Sequence, residues 1–164
     1  MLNIVPVTAA KDLEDIRTLF GEYSKLVAEA LCFQNFDQEL EALPGAYALP
    51  GGVLLIARDE DKAARSGSGD DAAGCVALRR LDADTGEMKR MYVREAYRGS
   101  GLGRRLAVAV IDEAKKRNYK RLVLDTLPKL ASAIALYRDL GFQETAPYLA
   151  CPTPGAICFE LKVS

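Results

Sequence analysis

Arg98-Gly99-Ser100-Gly101-Leu102-Gly103 is the stretch on which the fold of this chain turns. Three glycines in five residues leave little side chain there, so several backbone N–H groups can converge on one point. A predicted strand, Glu87–Val93, runs into the stretch, and an apolar-periodic helix leaves it near Gly101. The helix N-terminus adds a positive dipole end to those free donors. The stretch therefore reads as a phosphate cradle, and a ligand carrying a pyrophosphate is expected.

Elements follow outward on both sides. Asn3–Val7 reads as a strand and Thr8 as the N-cap of a long amphipathic helix. Leu13, Ile16, Phe20, Tyr23, Val27 and Ala30 carry that helix to about Leu31. Phe36–Leu43 is a second short helix, stopped by Pro44-Gly45. Val53–Ala57 is a buried-type strand, and the charged segment Arg58–Ala73, with Ser66-Gly67-Ser68-Gly69 at its centre, reads as an exposed, mobile hairpin loop. Gly74–Leu81 is a strand and Asp82–Gly86 the turn after it. Beyond the glycines, Gly101–Arg117 is helical, with Leu102, Leu106, Ala109, Val110 and Ala114 on one face. Arg121–Thr126 is a strand, Pro128 suits a first helical turn, Ala131–Leu140 is helical and Gly141 is its cap. Phe142–Glu144 and Ala156–Val163 read as closing strands. This order predicts a single α/β domain over residues 1–164, with a mixed central sheet flanked by helices.

Composition removes several functions. A net charge of −1 argues against non-specific nucleic-acid binding, which needs an excess of cations. No apolar run is long enough to span a bilayer, and the N-terminus lacks the pattern of a signal peptide, so a cytoplasmic protein without a membrane partner is expected. The four cysteines, Cys32, Cys75, Cys151 and Cys158, have no zinc-site spacing; no metal is expected, and Cys75 reads as core. Absence of histidine removes Ser-His-Asp and Cys-His catalysis and leaves acid–base work to carboxylate, tyrosine, cysteine, lysine or water.

Three phosphate loops compete. A Walker loop fails because Arg104-Arg105 follows Gly103 where Lys-Ser/Thr is required. A Rossmann fingerprint fits poorly, since the glycines follow a run of antiparallel-looking strands. By contrast, Arg98-x-x-Gly101-x-Gly103 after Met91-Tyr92-Val93 resembles the acetyl-CoA loop of the GNAT superfamily of N-acetyltransferases. Ala133-x-x-Leu136-Tyr137-x-x-x-Gly141-Phe142 resembles the second hallmark of that family. Glu87–Val93 and Leu124-Asp125-Thr126-Leu127-Pro128 look like an uncharacterised bacterial subgroup of it. One position departs: many members carry Asn where this chain has Leu130, which removes a polar contact to cofactor or water.

The resemblance implies acetyl-CoA as co-substrate, its pantetheine arm bonded to the backbone of Met91 and Val93. It implies a pyrophosphate on the N–H groups of Gly99, Ser100, Gly101, Leu102, Gly103 and Arg104, with Arg98 as the basic residue of the motif. Tyr137 and Glu87 are the implied catalytic residues. A free alkylamine has a pKa of about 10.4, so its neutral form at pH 7 lies uphill by about 4.6 kcal/mol. Glu87 is expected to take that proton, directly or through water; the alternative is a surface carboxylate paired with Lys89. Tyr137 matches the tyrosine that faces the departing sulfur, and proton transfer from an ordinary tyrosine to a thiolate is uphill by roughly 2 kcal/mol. Hydrogen-bond donation is therefore its expected role, with a plain core tyrosine as the alternative. The alternative for Arg98 and Arg104 is a solvated surface charge, weaker for Arg98, the basic residue of the motif.

Tyr23, Phe33, Phe36, Tyr47, Arg79 and Tyr148 are candidates for the acceptor pocket, and Arg79 or Arg80 for a clamp on an acceptor carboxylate. The leading expectation is acetyl transfer to a small-molecule or amino-acid-like amine. Protein or peptide acetylation is a second, with weak support from Asp37, Glu39 and Glu41. A non-catalytic acyl-CoA-binding regulator is a third, and family members often pair through sheet edges, which leaves a homodimer open.

Overall fold

The computed structural model describes residues 1–28, 35–67, 69–150 and 152–164. Among them, β1 (Leu2–Pro6), β2 (Val53–Asp59), β3 (Ala72–Arg80), β4 (Thr85–Val93), β5 (Arg121–Thr126), β6 (Gln143–Thr145) and β7 (Ile157–Lys162) form one sheet. The spatial order is β1-β2-β3-β4-β5-β7-β6. Every neighbouring pair is antiparallel except β4 and β5. Strand alternation sorts the core into two layers. Leu54, Ile56, Cys75 and Ala77 pack against Ile16, Leu19 and Phe20 of α1 (Ala10–Leu26), with α2 (Phe36–Ala42) on the same face. Leu55, Val76, Leu78, Met88, Leu122 and Leu124 pack with Leu102, Leu106 and Val110 of α4 (Leu102–Lys116), joined by Ile134 and Tyr137 of α5 (Ala131–Asp139). The mixed α/β architecture matches the expected one.

Two features of β4 position the site. Its parallel pairing with β5 covers only Thr85–Glu87 against Arg121–Val123, after which the strands part. Two residues further, β4 carries a bulge: Cys75 opposes Tyr92 and Ala77 opposes Lys89, so Arg90 and Met91 together face Val76. Arg90 adopts φ 57°, a left-handed conformation unusual for arginine. A bulge bends and twists its strand, and this one lies just past the point where β4 and β5 part.

Four local expectations differ. The N-cap of α1 is Ala9, not Thr8; the Asp12 carboxylate accepts from both Thr8 N and Ala9 N at 3.2 Å. That helix ends at Leu26, short of Leu31, and residues 29–34 lie outside the described part. Arg58–Ala73 is no open loop. Asp59 caps α3 (Glu60–Ser66) by accepting from Asp61 N and Lys62 N, and Ala72 already belongs to β3. Arg58 is held by the carboxylates of Asp12, Asp15 and Asp71, which ties the segment to α1. Pro128 precedes α5, whose N-cap is Leu130, because no helical turn forms before it. Cys75 is buried as expected; Cys32, Cys151 and Phe33 lie outside the described residues.

Candidate active site

The parting of β4 and β5 opens a cleft of about 610 Å³ at the carboxyl ends of the two parallel strands, where open α/β sheets place their ligands. Met91 and Val93 form one wall on β4. Arg98, Gly99, Gly101, Leu102, Gly103 and Arg104 line one end, and Tyr137 lines the α5 side. Leu124, Asp125 and Thr126 supply the β5 wall, and Tyr23 and Leu26 reach in from α1. Leu130 lines the cleft too, an apolar residue with no side-chain cap bond. Two predicted site residues, Ser100 and Glu87, do not line it.

The glycine turn has the form a phosphate requires. Gly99 and Gly101 adopt φ 77° and 82°, which a side chain would strain. The first backbone bond of α4 runs from Arg105 N to Gly101 O at 3.1 Å, so Leu102, Gly103 and Arg104 keep N–H groups without an intrahelical partner. No packing demand explains Gly103. A Cβ there would stand 3.8 Å from Leu136 and 3.9 Å from Val93, both cleft residues, and would project into the space between them. The turn thus fits a diphosphate by free donors, dipole and clearance. Ser100 turns its hydroxyl back onto Tyr97 O at 2.5 Å and can offer only backbone. Arg98 donates from Nε to Val93 O at 3.1 Å, which braces the turn against β4. Arg104 is half exposed and pairs with Asp139 on α5.

Tyr137 sits at the junction of core and cleft. Its ring packs at 5.8 Å from Phe142 and 6.3 Å from Phe159, and it is almost fully buried. Burial first, then the nearby Tyr23 and Asp125, push its pKa well above the ordinary tyrosine value. This phenol keeps its proton and is suited to donating a hydrogen bond.

On the α1–α2 face the charges fall into pairs. Glu87 is fully buried and accepts from Arg79 Nε and from Tyr148 Oη, both at 2.5 Å. It is therefore neither a surface carboxylate nor paired with Lys89. Arg79 bonds Glu87 through Nε and Arg80 donates to Asp82 O, and neither lines the cleft. Glu39 turns inward: it accepts from Arg90 Nε and Nη2 at 2.9 and 3.0 Å and from Tyr47 Oη at 2.9 Å. Phe36 stacks 5.4 Å from the Arg90 guanidinium.

Lys89 and Asp125 are among the cleft residues that sequence reasoning missed as site residues. The signal was present. Each places a charge in a strand that otherwise alternates or runs apolar, Met88-Lys89-Arg90-Met91 and Leu122-Val123-Leu124-Asp125. Desolvation lowers the Lys89 pKa, and Glu87 opposes that shift.

A split parallel pair thus has an amide-lined turn at one end and a buried phenol beside it. Residues 14–142 match the Acetyltransferase (GNAT) family, and the chain belongs to that family. It is 37% identical over 164 residues to an uncharacterized N-acetyltransferase of Schizosaccharomyces pombe, covering 99% of this chain and 96% of that one. Its fold matches a GNAT acetyltransferase of Staphylococcus aureus with TM-score 0.79, 22% identity and full coverage of both chains. An acetyltransferase of Salmonella typhimurium solved with its cofactor acetyl-CoA matches with TM-score 0.71 at 23% identity, over 99% of this chain and 94% of that one. The chain is an N-acetyltransferase. Among the described residues no helix is long and apolar enough to cross a membrane.

Proposed function

We propose that this enzyme transfers the acetyl group of acetyl-CoA to the amine of a small, amino-acid-like acceptor. The observation that carries the reading is one cleft holding both the amide turn Gly99–Arg104 and the buried Tyr137. When bound, acetyl-CoA would supply an acetyl thioester. Backbone amides from Gly99 to Arg104 hold the diphosphate, and the open edge of β4 at Met91 and Val93 holds the arm between the split strands.

The chemistry forms an N–C bond, breaks a C–S bond and releases two protons from the entering ammonium, one of which ends on sulfur. Tyr137 donates to the sulfur as negative charge grows there. Glu87 takes the other proton through water, since neither it nor its partner Tyr148 lines the cleft. The peptide-acceptor reading loses one of its three supports, because Glu39 is spent on Arg90 and Tyr47.

Thiol release from acetyl-CoA across a panel of small amines, amino acids and basic peptides tests the assignment. Turnover of a small amine is expected. Turnover of peptides alone would give the protein-acetylating reading, and acetyl-CoA binding with no turnover would give a regulator.

A further inference from the structure

The charges around the cleft do not all have partners. Glu87 is matched by Arg79 and Glu39 by Arg90. Of the other charged cleft residues, Arg104 pairs with Asp139, Arg98 donates to Val93 O and Lys129 is not without a partner; Lys89 and Asp125 remain. Both line the cleft, and neither makes a hydrogen bond or ion pair with another described residue. Lys89 is only 7% exposed, yet its ammonium is not sealed in, for the only buried unpartnered side-chain nitrogen or oxygen among the described residues is Arg121 Nε.

The fold explains this placement. In a regular strand Lys89 and Arg90 would face opposite sides of the sheet. The bulge opposes Arg90 and Met91 to one residue of β3 and breaks that alternation. Arg90 then reaches Glu39 of α2, on the face where Lys89 stands with Glu87. An ammonium covered to this degree is costly without a counter-charge. Glu87 first, and then Asp125, act on Lys89 electrostatically, but neither forms an ion pair with it, and Lys89 and Asp125 both line the cleft.

We propose, resting on the acetyl-transfer reading above, that the acceptor is a zwitterion of the α-amino-acid class, its carboxylate bound by Lys89 and its ammonium guided by Asp125. An unpaired cation and an unpaired anion facing one space complement a ligand that bears both charges. Arg79, whose Nε bonds Glu87, does not line the cleft.

The test measures thiol release with the twenty proteinogenic α-amino acids and with the carboxamide of each, for wild type, Lys89→Met and Lys89→Arg. Acetyl-CoA affinity is measured in parallel by calorimetry. At least one amino acid should exceed its carboxamide more than tenfold in kcat/KM. Lys89→Met should bring that ratio close to one, mainly through KM, with acetyl-CoA affinity within twofold of wild type. Lys89→Arg should restore part of the ratio, which separates charge recognition from a folding defect. Equal use of acid and carboxamide, turnover only of amines lacking a carboxylate, no turnover at all, or discrimination that survives in Lys89→Met would each overturn the assignment. Failure of acetyl-CoA to bind wild type would instead sink the underlying reading.

Discussion

Burial changes what Tyr137 can do. With its pKa pushed up by desolvation, full proton transfer from the phenol becomes harder than for an exposed tyrosine, while its capacity to donate a hydrogen bond is kept. Tyr137→Phe removes that donor without opening a cavity, because the ring contacts with Phe142 and Phe159 remain. A fall in kcat on the order of 10²-fold is expected, with acetyl-CoA affinity within twofold. Steady-state kinetics beside calorimetry check this, and loss of affinity at unchanged kcat would show a packing residue only. Tyr137 was readable from the spacing of its motif. The states of Glu87, Arg79 and Glu39 were not, because a partner on another strand or helix decides whether a charged side chain is free, and local sequence does not name that partner. Lys89 and Asp125 are conspicuous once those partners are assigned.

The glycine turn separates folding from binding. A methyl at Gly103 meets only ordinary contacts with Leu136 and Val93, at a position without positive φ. Gly103→Ala should therefore leave stability unchanged or raise it by roughly 0.5–1 kcal/mol, as alanine generally does within a helix. It should weaken acetyl-CoA on the order of tenfold, since the added methyl fills the ground the phosphate needs. Chemical denaturation and calorimetry measure the two effects, and unchanged affinity would mean that the clearance has no ligand. The segment after β2 shows how a charged run misleads. Asp59-Glu60-Asp61 is an N-cap signal and the Ser/Gly stretch beyond it ends a helix, yet solvated charge and small residues read together as loop. The same segment gives a pH response. Burial alone would raise the Asp12 pKa, but the Arg58 guanidinium and the N–H groups of Ala9 and Thr8 outweigh it and hold the carboxyl below its ordinary value. The stability so gained is complete above about pH 4 and is lost as pH falls below it. Acid unfolding of Asp12→Asn should accordingly converge with wild type as pH is lowered through that window, whereas a constant gap would contradict the assignment.

Sheet topology joins these parts into one site. Because β4 and β5 pair over three positions and then diverge, the cleft reaches both faces of the sheet: α1 contributes Tyr23 and Leu26, and α4 and α5 contribute the turn and Tyr137. Element order and two motifs made the sheet and its ligand class readable. The bulge beside the split sits at an arginine with a left-handed backbone, which no glycine or proline announces in the sequence. This split and its amide turn are proposed to hold the diphosphate and arm of acetyl-CoA. Titration of acetyl-CoA into uniformly ¹⁵N-labelled protein, followed amide by amide, checks that placement. Saturable shifts concentrated at Gly99, Gly101–Arg104, Met91 and Val93 are predicted; saturation elsewhere with these amides unmoved would contradict it.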